Sequence, residues 1–118
     1  MFVRRLSLAN FRNYRELDLT VSPGNLLFLG DNAQGKSNLL EAVEVLATTR
    51  SGRAGSDREL LHWAVMDQDS DEVSRAERFA RVSAMVMREA VETRADIVLH
   101  PAEPTAEDGV GPITKAYR

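Results

Sequence analysis

A glycine-rich stretch between two apolar segments constrains the fold of this 118-residue chain more than any other feature. Residues 28–43 read FLGDNAQGKSNLLEAV, and the short segment 30–37 contains two glycines, a lysine and a serine. These residue types contribute little to the stability of a strand or a helix. The stretch therefore predicts a sharp strand-to-helix connection whose residues are kept for binding rather than for packing.

The flanking residues predict the elements that this connection joins. The unbroken apolar run at 26–29 is typical of a strand that is covered on both faces, and the turn-forming sequence at 22–25 precedes it. Downstream, apolar residues at helical spacing predict an amphipathic helix from 37 to about 48. The residues that carry this second pattern are Leu39, Leu40, Val43, Leu46 and Ala47.

The segment matches the pattern G-x-x-x-x-G-K-[ST], which is the phosphate-binding loop or P-loop. Gly35 allows the backbone to approach a phosphate without a Cβ clash, and Lys36 supplies a positive charge for the β- and γ-phosphates. The Ser37 hydroxyl is the expected ligand of Mg²⁺, and the positive end of the helix dipole points to the same phosphates. The predicted nucleotide site consists of Gly30, Asp31, Asn32, Ala33, Gln34, Gly35, Lys36 and Ser37.

The residues before this loop predict two strands. In the first, Phe2, Leu6 and Leu8 lie on one side, and Val3, Arg5 and Ser7 lie on the other. Alternation over 17–21 predicts the second strand. Later in the chain, Ser56 with Glu59 resembles a capping box that opens a short helix through Trp63.

The second half of the chain is ambiguous in its periodicity. Residues 74–91 have high helix propensity, but apolar residues alternate over 82–86 and a strand pattern follows at 97–99. Periodicity alone leaves a helix and a hairpin both open. Residues 101–111 are rich in Pro, Gly and Glu, which is typical of a loop.

Composition limits the classes of protein to which the chain can belong. There is no cysteine, which excludes a disulfide framework and a thiolate zinc site, and no apolar run approaches the roughly 20 residues of a membrane span. No signal peptide is recognisable, so we expect a cytoplasmic protein. The net charge of −3 does not indicate nucleic-acid binding. The basic cluster Arg4, Arg5, Arg12 and Arg15 is interpreted either as a solvated strand face or as a face for nucleic acid.

Residues 4–63, which include NFRNY, GDNAQGKSNLLEA, ATTRSGR and DRELL, resemble the beginning of the RecF family of bacterial recombination mediators. They are similar, more loosely, to the Rad50 and SMC ATPase heads. The resemblance implies an α/β P-loop NTPase, namely the N-terminal lobe of an ABC-type ATPase head with a mixed or antiparallel sheet around one P-loop helix. Residues 1–64 would form the P-loop subregion and 65–118 a small antiparallel sheet, together making part of a longer protein. This favours strands over a helix in the ambiguous region.

The resemblance also implies a function. Family members would bind ATP and Mg²⁺, dimerise on ATP, bind duplex DNA near single-stranded gaps, hydrolyse ATP slowly in a DNA-dependent way, and cooperate with RecR and RecO. Arg12 and Asn13 match a segment that approaches the nucleotide in related heads. Arg50 and Arg53 match, loosely, a loop that can sense DNA, although a solvated basic loop is the favoured interpretation.

Two elements of a complete ATPase are not recognisable in the sequence. Ile97-Val98-Leu99 is followed by His100 and Pro101 rather than by an acid, so it does not form a Walker B strand, and there is no signature motif. We therefore expect this chain to be inactive alone and the full-length protein to be an ATPase. The alternatives are a Rad50- or SMC-like DNA clamp and a P-loop small-molecule kinase.

Overall fold

The computed structural model describes residues 1–30, 35–54, 57–62, 78–101 and 113–117, with the backbone alone at 57–58, 101 and 113–117. Within these residues, five strands form one antiparallel sheet, and one α-helix lies against it. The elements are β1 (Phe2–Phe11), β2 (Tyr14–Thr20), α1 (Lys36–Thr48), a 3₁₀ helix (Asp57–Leu60), β3 (Ala80–Arg88), β4 (Val91–Pro101) and β5 (Ile113–Tyr117). None of the helices in this described part of the chain is long and apolar enough to span a bilayer.

The strand order is β2-β1-β3-β4-β5, and every neighbouring pair is antiparallel. Two tight hairpins therefore flank the long connection that contains α1. The β1–β2 hairpin turns at 12–13, where Arg12 has a φ of 52°, and the β3–β4 hairpin turns at Glu89 and Ala90 with φ of 48° and 65°. The region of ambiguous periodicity thus forms the strands β3 and β4 rather than a helix, and both lie in the same sheet as β1 and β2.

The core lies between one face of this sheet and α1. Leu6, Leu8, Val82, Ile97 and Leu99 point from the strands toward the helix and are buried. From the helix, Leu39, Ala42 and Val45 close the core. Full burial of a Leu, Ile or Val side chain contributes about 1.5–3 kcal/mol, so this interface fixes the position of α1 on the sheet.

A β-bulge corrects the predicted faces of β1. The register shifts between Val3 and Arg5, because Val3 pairs with Val86 whereas Arg5 pairs with Met85. One extra residue reverses the side to which all residues before it point. Val3 therefore packs against the core and Phe2 is exposed, which is the opposite of the simple alternation.

The predicted strand at 26–29 is wrong for this chain. These residues have no strand assignment, and Leu27 and Leu29 are 82% and 85% exposed. A strand needs a neighbour for its backbone groups. Among the described residues none pairs with this run, so its apolar side chains remain on the surface.

The helix is where the sequence predicts it, but the predicted apolar stripe includes residues that do not pack. Leu40 is 68% exposed and Val43 also faces outward. The buried side instead includes an acid, Glu41. The predicted short helix is observed as the 3₁₀ turn Asp57–Leu60, while Ser56 and Trp63 lie outside the described residues.

Candidate phosphate-binding site

The helix α1 begins directly after Gly35, the second glycine of the motif. Gly35 is buried and adopts φ 90° and ψ 6°, a left-handed conformation that glycine reaches without a Cβ penalty. Its carbonyl accepts hydrogen bonds from the backbone N–H groups of Asn38 and Leu39 at 3.1 and 3.2 Å. The helix therefore begins immediately after this glycine.

The first turn of α1 is open to an anion. Among the described residues no side chain caps this turn, and the turn itself contains no acidic residue. Without a cap, the first N–H groups of a helix are free to bind a negatively charged group, which the helix dipole also favours. Lys36 and Ser37 stand on this turn, with Ser37 exposed. The donor set of amides, an ammonium group and a hydroxyl is the one that a triphosphate with Mg²⁺ requires.

Lys36, which follows Gly35 in the sequence, forms a hydrogen bond with Gly30, the first glycine of the motif. Its Nζ donates a hydrogen bond to the carbonyl oxygen of Gly30, which lies exposed at the end of the described segment 1–30. The ammonium group is thus already directed toward the start of the loop. The other predicted loop residues, Asp31, Asn32, Ala33 and Gln34, lie outside the described residues.

The turn between β1 and β2 is in contact with Gly35. Tyr14 Oη donates a hydrogen bond to the Gly35 carbonyl at 3.1 Å, and Asn38 Nδ2 donates to Asn13 Oδ1 at 2.8 Å. The predicted candidate Asn13 therefore stands beside the loop-to-helix junction. Tyr14 does so as well, although it is not among the site residues predicted from the sequence.

The other predicted candidate of this turn, Arg12, is directed to the helix rather than to the loop. Its Nε and Nη2 donate to the two carboxylate oxygens of Glu41 at 2.7 and 2.9 Å, and Ser51 Oγ donates to the same carboxylate at 2.5 Å. The Glu41 side chain has no exposed surface and that of Arg12 is 20% exposed. A bidentate pair of this kind explains how an acid is tolerated on the buried side of α1.

The pair determines the protonation state of Glu41. Burial acts to raise the pKa of its carboxyl, but the hydrogen bonds from Arg12 and Ser51 and the charge of Arg12 outweigh burial, and the pKa lies below the usual 4.5. The hydrogen bond to Glu41 raises the pKa of the Arg12 guanidinium, against the smaller opposing effect of burial. Both groups are therefore charged at neutral pH.

We expect this pair to make the fold sensitive to acid. Because the pKa of Glu41 is lower in the folded state, its contribution to the free energy of unfolding is present above pH 4.5 and is lost as the pH falls through the folded-state value. Urea unfolding at a series of pH values should show a smaller acid loss in an Arg12→Met, Glu41→Leu double variant than in the unsubstituted protein. An equal loss in the two proteins would contradict the assignment.

The loop after α1 joins the same network. Arg53 Nη1 donates to Asn38 Oδ1 at 3.1 Å, and Ser51 Oγ accepts the backbone N–H groups of Arg53 and Ala54, both at 3.1 Å. This loop is thereby connected both to the Arg12–Glu41 pair and to Asn13. Arg50 is exposed at the end of the helix.

The basic cluster of the sequence is divided into separate ion pairs. Arg5 pairs with Asp18 on the neighbouring strand β2, and Arg4 pairs with Glu92 on β4, which lies beyond β3 in the sheet. With Arg12 bound to Glu41, three of the four arginines of this cluster are paired with an acid.

His62 is buried, and its backbone N–H donates a hydrogen bond to the backbone carbonyl of Asn10 at 2.8 Å. Within the described ranges, no group of acidic or histidine side chains is arranged to hold a metal ion.

Three contributors to the site were not selected from the sequence: Tyr14, Glu41 and Ser51. A signal existed for Tyr14, because it ends the NFRNY turn that contains the two candidates Arg12 and Asn13. The burial of Glu41 could not be predicted from the helical pattern, because an acid in such a pattern is ordinarily on the exposed side. Its burial depends on an arginine 29 positions earlier, which no local pattern indicates.

Comparisons with known proteins show the family to which this chain belongs. A family model described as an AAA domain matches residues 5–99. The chain is 41% identical over 118 residues to the DNA replication and repair protein RecF of Chloroflexus aurantiacus, covering 100% of this chain and 28% of that protein. It is 49% identical over 88 residues to RecF of Gloeobacter violaceus, covering 75% of this chain and 20% of that protein.

A solved structure of the recombination mediator protein RecF with ATP in the RecFOR pathway has the same fold, with a TM-score of 0.67 and 25% identity. The match covers 99% of this chain and 26% of that one. The chain thus spans about a quarter of the length of the curated relatives that it matches. The residues matched by the family model make up most of the chain, so this protein belongs to the AAA domain family, and over its whole length it resembles RecF.

Proposed function

We propose that the segment 30–37 binds the phosphates of Mg·ATP and that the intact protein is a RecF-like mediator of DNA repair and recombination. One observation carries the proposal: Gly35, the second glycine of the motif, adopts a left-handed conformation directly before a helix N-terminus that bears Lys36 and Ser37. Amides at a helix N-terminus together with a nearby positive charge favour the binding of a triphosphate, which supports the proposal.

In this proposal each residue has a defined task. The amides of the loop and of the first turn of α1 bind the phosphate oxygens, and the ammonium group of Lys36 leaves the Gly30 carbonyl to bind the β- and γ-phosphates. The Ser37 hydroxyl is a ligand of Mg²⁺, which neutralises phosphate charge when it is bound. Asn13 supports the junction, and Arg12 acts on the nucleotide site through the position of α1.

The further properties of the intact protein rest on its similarity to RecF. They are ATP-dependent formation of a homodimer, binding to duplex DNA near single-stranded gaps, slow DNA-dependent hydrolysis, action together with RecR and RecO, and a cytoplasmic location. The curated relatives are supporting evidence because they bear the name of a DNA replication and repair protein. No described residue supplies the acid that activates water, so hydrolysis would depend on residues outside the described part of the chain.

A Rad50- or SMC-like clamp is the second candidate. It shares the P-loop and the sheet, but the relatives described above are named RecF rather than Rad50 or SMC. ATP-dependent binding of the intact protein to gapped duplex DNA in preference to uninterrupted duplex would favour the mediator. Equal binding to the two DNAs would favour the clamp.

Replacing Lys36 with alanine tests the nucleotide site. We expect Mg·ATP affinity of the intact protein to fall by at least about 100-fold in calorimetry, because a charge-assisted contact to phosphate is lost. The melting temperature without nucleotide should change little, since the Lys36 side chain contacts only the Gly30 carbonyl in the hydrogen bonds of the described residues. Arg88→Ala, an exposed cation at the end of β3, is the control and should bind normally. Unchanged affinity in Lys36→Ala would refute the assignment.

A further inference from the structure

The β1–β2 turn packs closely against Gly35. A Cβ built on Gly35 would lie 2.8 Å from Tyr14 Oη and 2.9 Å from both Asn13 Nδ2 and Asn13 Oδ1. Real Cβ atoms are essentially never this close to another heavy atom. The three contacts therefore leave Gly35 no room for a side chain and restrict how far its backbone can move.

The same turn determines the orientation of one peptide group. The Gly35 carbonyl accepts three hydrogen bonds, from Tyr14 Oη and from the backbone N–H groups of Asn38 and Leu39. A trans peptide is planar, so its N–H points away from its carbonyl. With the Gly35 carbonyl held on the side of the sheet and helix, the N–H of Lys36 is directed to the opposite side, where the phosphates would lie.

Asn13 is itself held in place. Its Oδ1 accepts a hydrogen bond from Asn38 Nδ2 at 2.8 Å, and Asn38 Oδ1 accepts one from Arg53 Nη1 at 3.1 Å. Asn38 stands on the first turn of α1, two residues after Lys36. The turn, the junction and the start of the helix thus form one hydrogen-bonded unit.

From this geometry we propose that Tyr14 and Asn13 are positioning residues that hold the loop-to-helix junction in its phosphate-binding conformation. The inference rests on the proposed function of the segment 30–37. When the binding-competent conformation is populated for only a fraction of the time, the apparent affinity for the ligand falls in proportion to that fraction. Tyr14 therefore raises the affinity for phosphates through Gly35, without touching the nucleotide.

Tyr14→Phe is the test, because it removes the hydroxyl and keeps the ring. In the intact protein, calorimetry should show about fivefold weaker binding of Mg·ATP, as expected when one hydrogen bond no longer favours the competent conformation. Binding of Mg·tripolyphosphate, which has no base or ribose, should weaken by the same factor. The matched control is Thr48→Val, which removes a hydroxyl bonded to the Glu44 carbonyl at 2.9 Å at the far end of α1 and should leave both affinities unchanged.

The outcomes separate this inference from the proposed function. If the unsubstituted protein binds neither ligand, the proposed function fails. If it binds both and Tyr14→Phe binds equally well, the positioning role is overturned while the nucleotide site stands. A loss for Mg·ATP without a loss for tripolyphosphate would also overturn it, because the hydroxyl would then act on the nucleoside. An equal loss for both ligands would support it.

Discussion

Replacing Arg12 with alanine is expected to lower the free energy of unfolding by about 3 kcal/mol, a large fraction of the stability of a domain of this size. Glu41 is fully buried on α1, and both of its oxygens accept hydrogen bonds from the Arg12 guanidinium. Without Arg12, the carboxylate keeps only the Ser51 hydroxyl as a described hydrogen-bond donor. Urea unfolding at neutral pH, followed by circular dichroism, measures this effect.

Arg4→Ala is a matched control for this variant. Arg4 also lies on β1 and pairs with an acid, Glu92, but the two side chains are 58% and 41% exposed. Exposed ion pairs contribute about 0–1 kcal/mol, so this variant should unfold almost as the unsubstituted protein does. Equal destabilisation by Arg12→Ala and Arg4→Ala would show that the Arg12–Glu41 pair is no more important than a surface ion pair.

A second variant separates stability from ligand binding. In Arg12→Met, Glu41→Leu the buried charge is removed together with its partner, and apolar replacement of a buried pair is often neutral or stabilising. We expect this double variant to recover most of the lost stability. If it also binds Mg·ATP normally, then Arg12 acts only by fixing α1, and the prediction that Arg12 approaches the nucleotide would be wrong. Weak binding in the stable double variant would support a direct contact.

The parts of the fold that local patterns determine could be predicted from the sequence. Alternation located β2, the strand pattern at 97–99 lies within β4, and helical spacing located α1 within one residue of its observed start. The motif also identified 35 as a position that requires glycine, and the observed φ of 90° is a second reason for that requirement. In each case the signal lies within a few residues of the element itself.

The sequence-based predictions were wrong where residues distant in the sequence determine the local structure. The apolar run at 26–29 has the composition of a buried strand, but burial requires a neighbour that a local pattern cannot supply. Likewise, the bulge between Val3 and Arg5 is set by pairing with β3, about 80 residues later. The side of α1 that packs could not be identified because both sides carry leucine and valine, and only the sheet selects Leu39 and Val45.

Gly35→Ala is expected to have the largest effect on the candidate site. The residue has a φ of 90°, which costs an L-amino acid about 1–3 kcal/mol, and the new methyl group would meet Tyr14 Oη at 2.8 Å and the Asn13 amide at 2.9 Å. Either the β1–β2 turn or the junction must move. We expect Mg·ATP binding to fall below detection in calorimetry, and the free energy of unfolding to fall by about 2–4 kcal/mol.

Substitutions at two other glycines separate the contribution of backbone strain from that of steric contact. Gly24 has a φ of 125° with nothing within 4 Å of a built Cβ, so Gly24→Ala measures backbone strain alone. At Gly52 no positive φ is present, and a Cβ would meet only the end of the Glu44 side chain at 3.2 Å, so Gly52→Ala should be nearly neutral. The excess of Gly35→Ala over Gly24→Ala is then the cost of the contact with the turn.

The combined variant Gly35→Ala, Tyr14→Phe tests the contact itself. Removing Oη eliminates the closest of the three clashes, so part of the stability lost in Gly35→Ala should return. Nucleotide binding should not return, because the strained φ and the contact with Asn13 both remain. If instead Gly35→Ala costs no more than Gly24→Ala and the second substitution restores nothing, then the turn does not enclose Gly35 in solution. In that case the phosphate-binding conformation of the loop would have to be maintained by residues other than Tyr14 and Asn13.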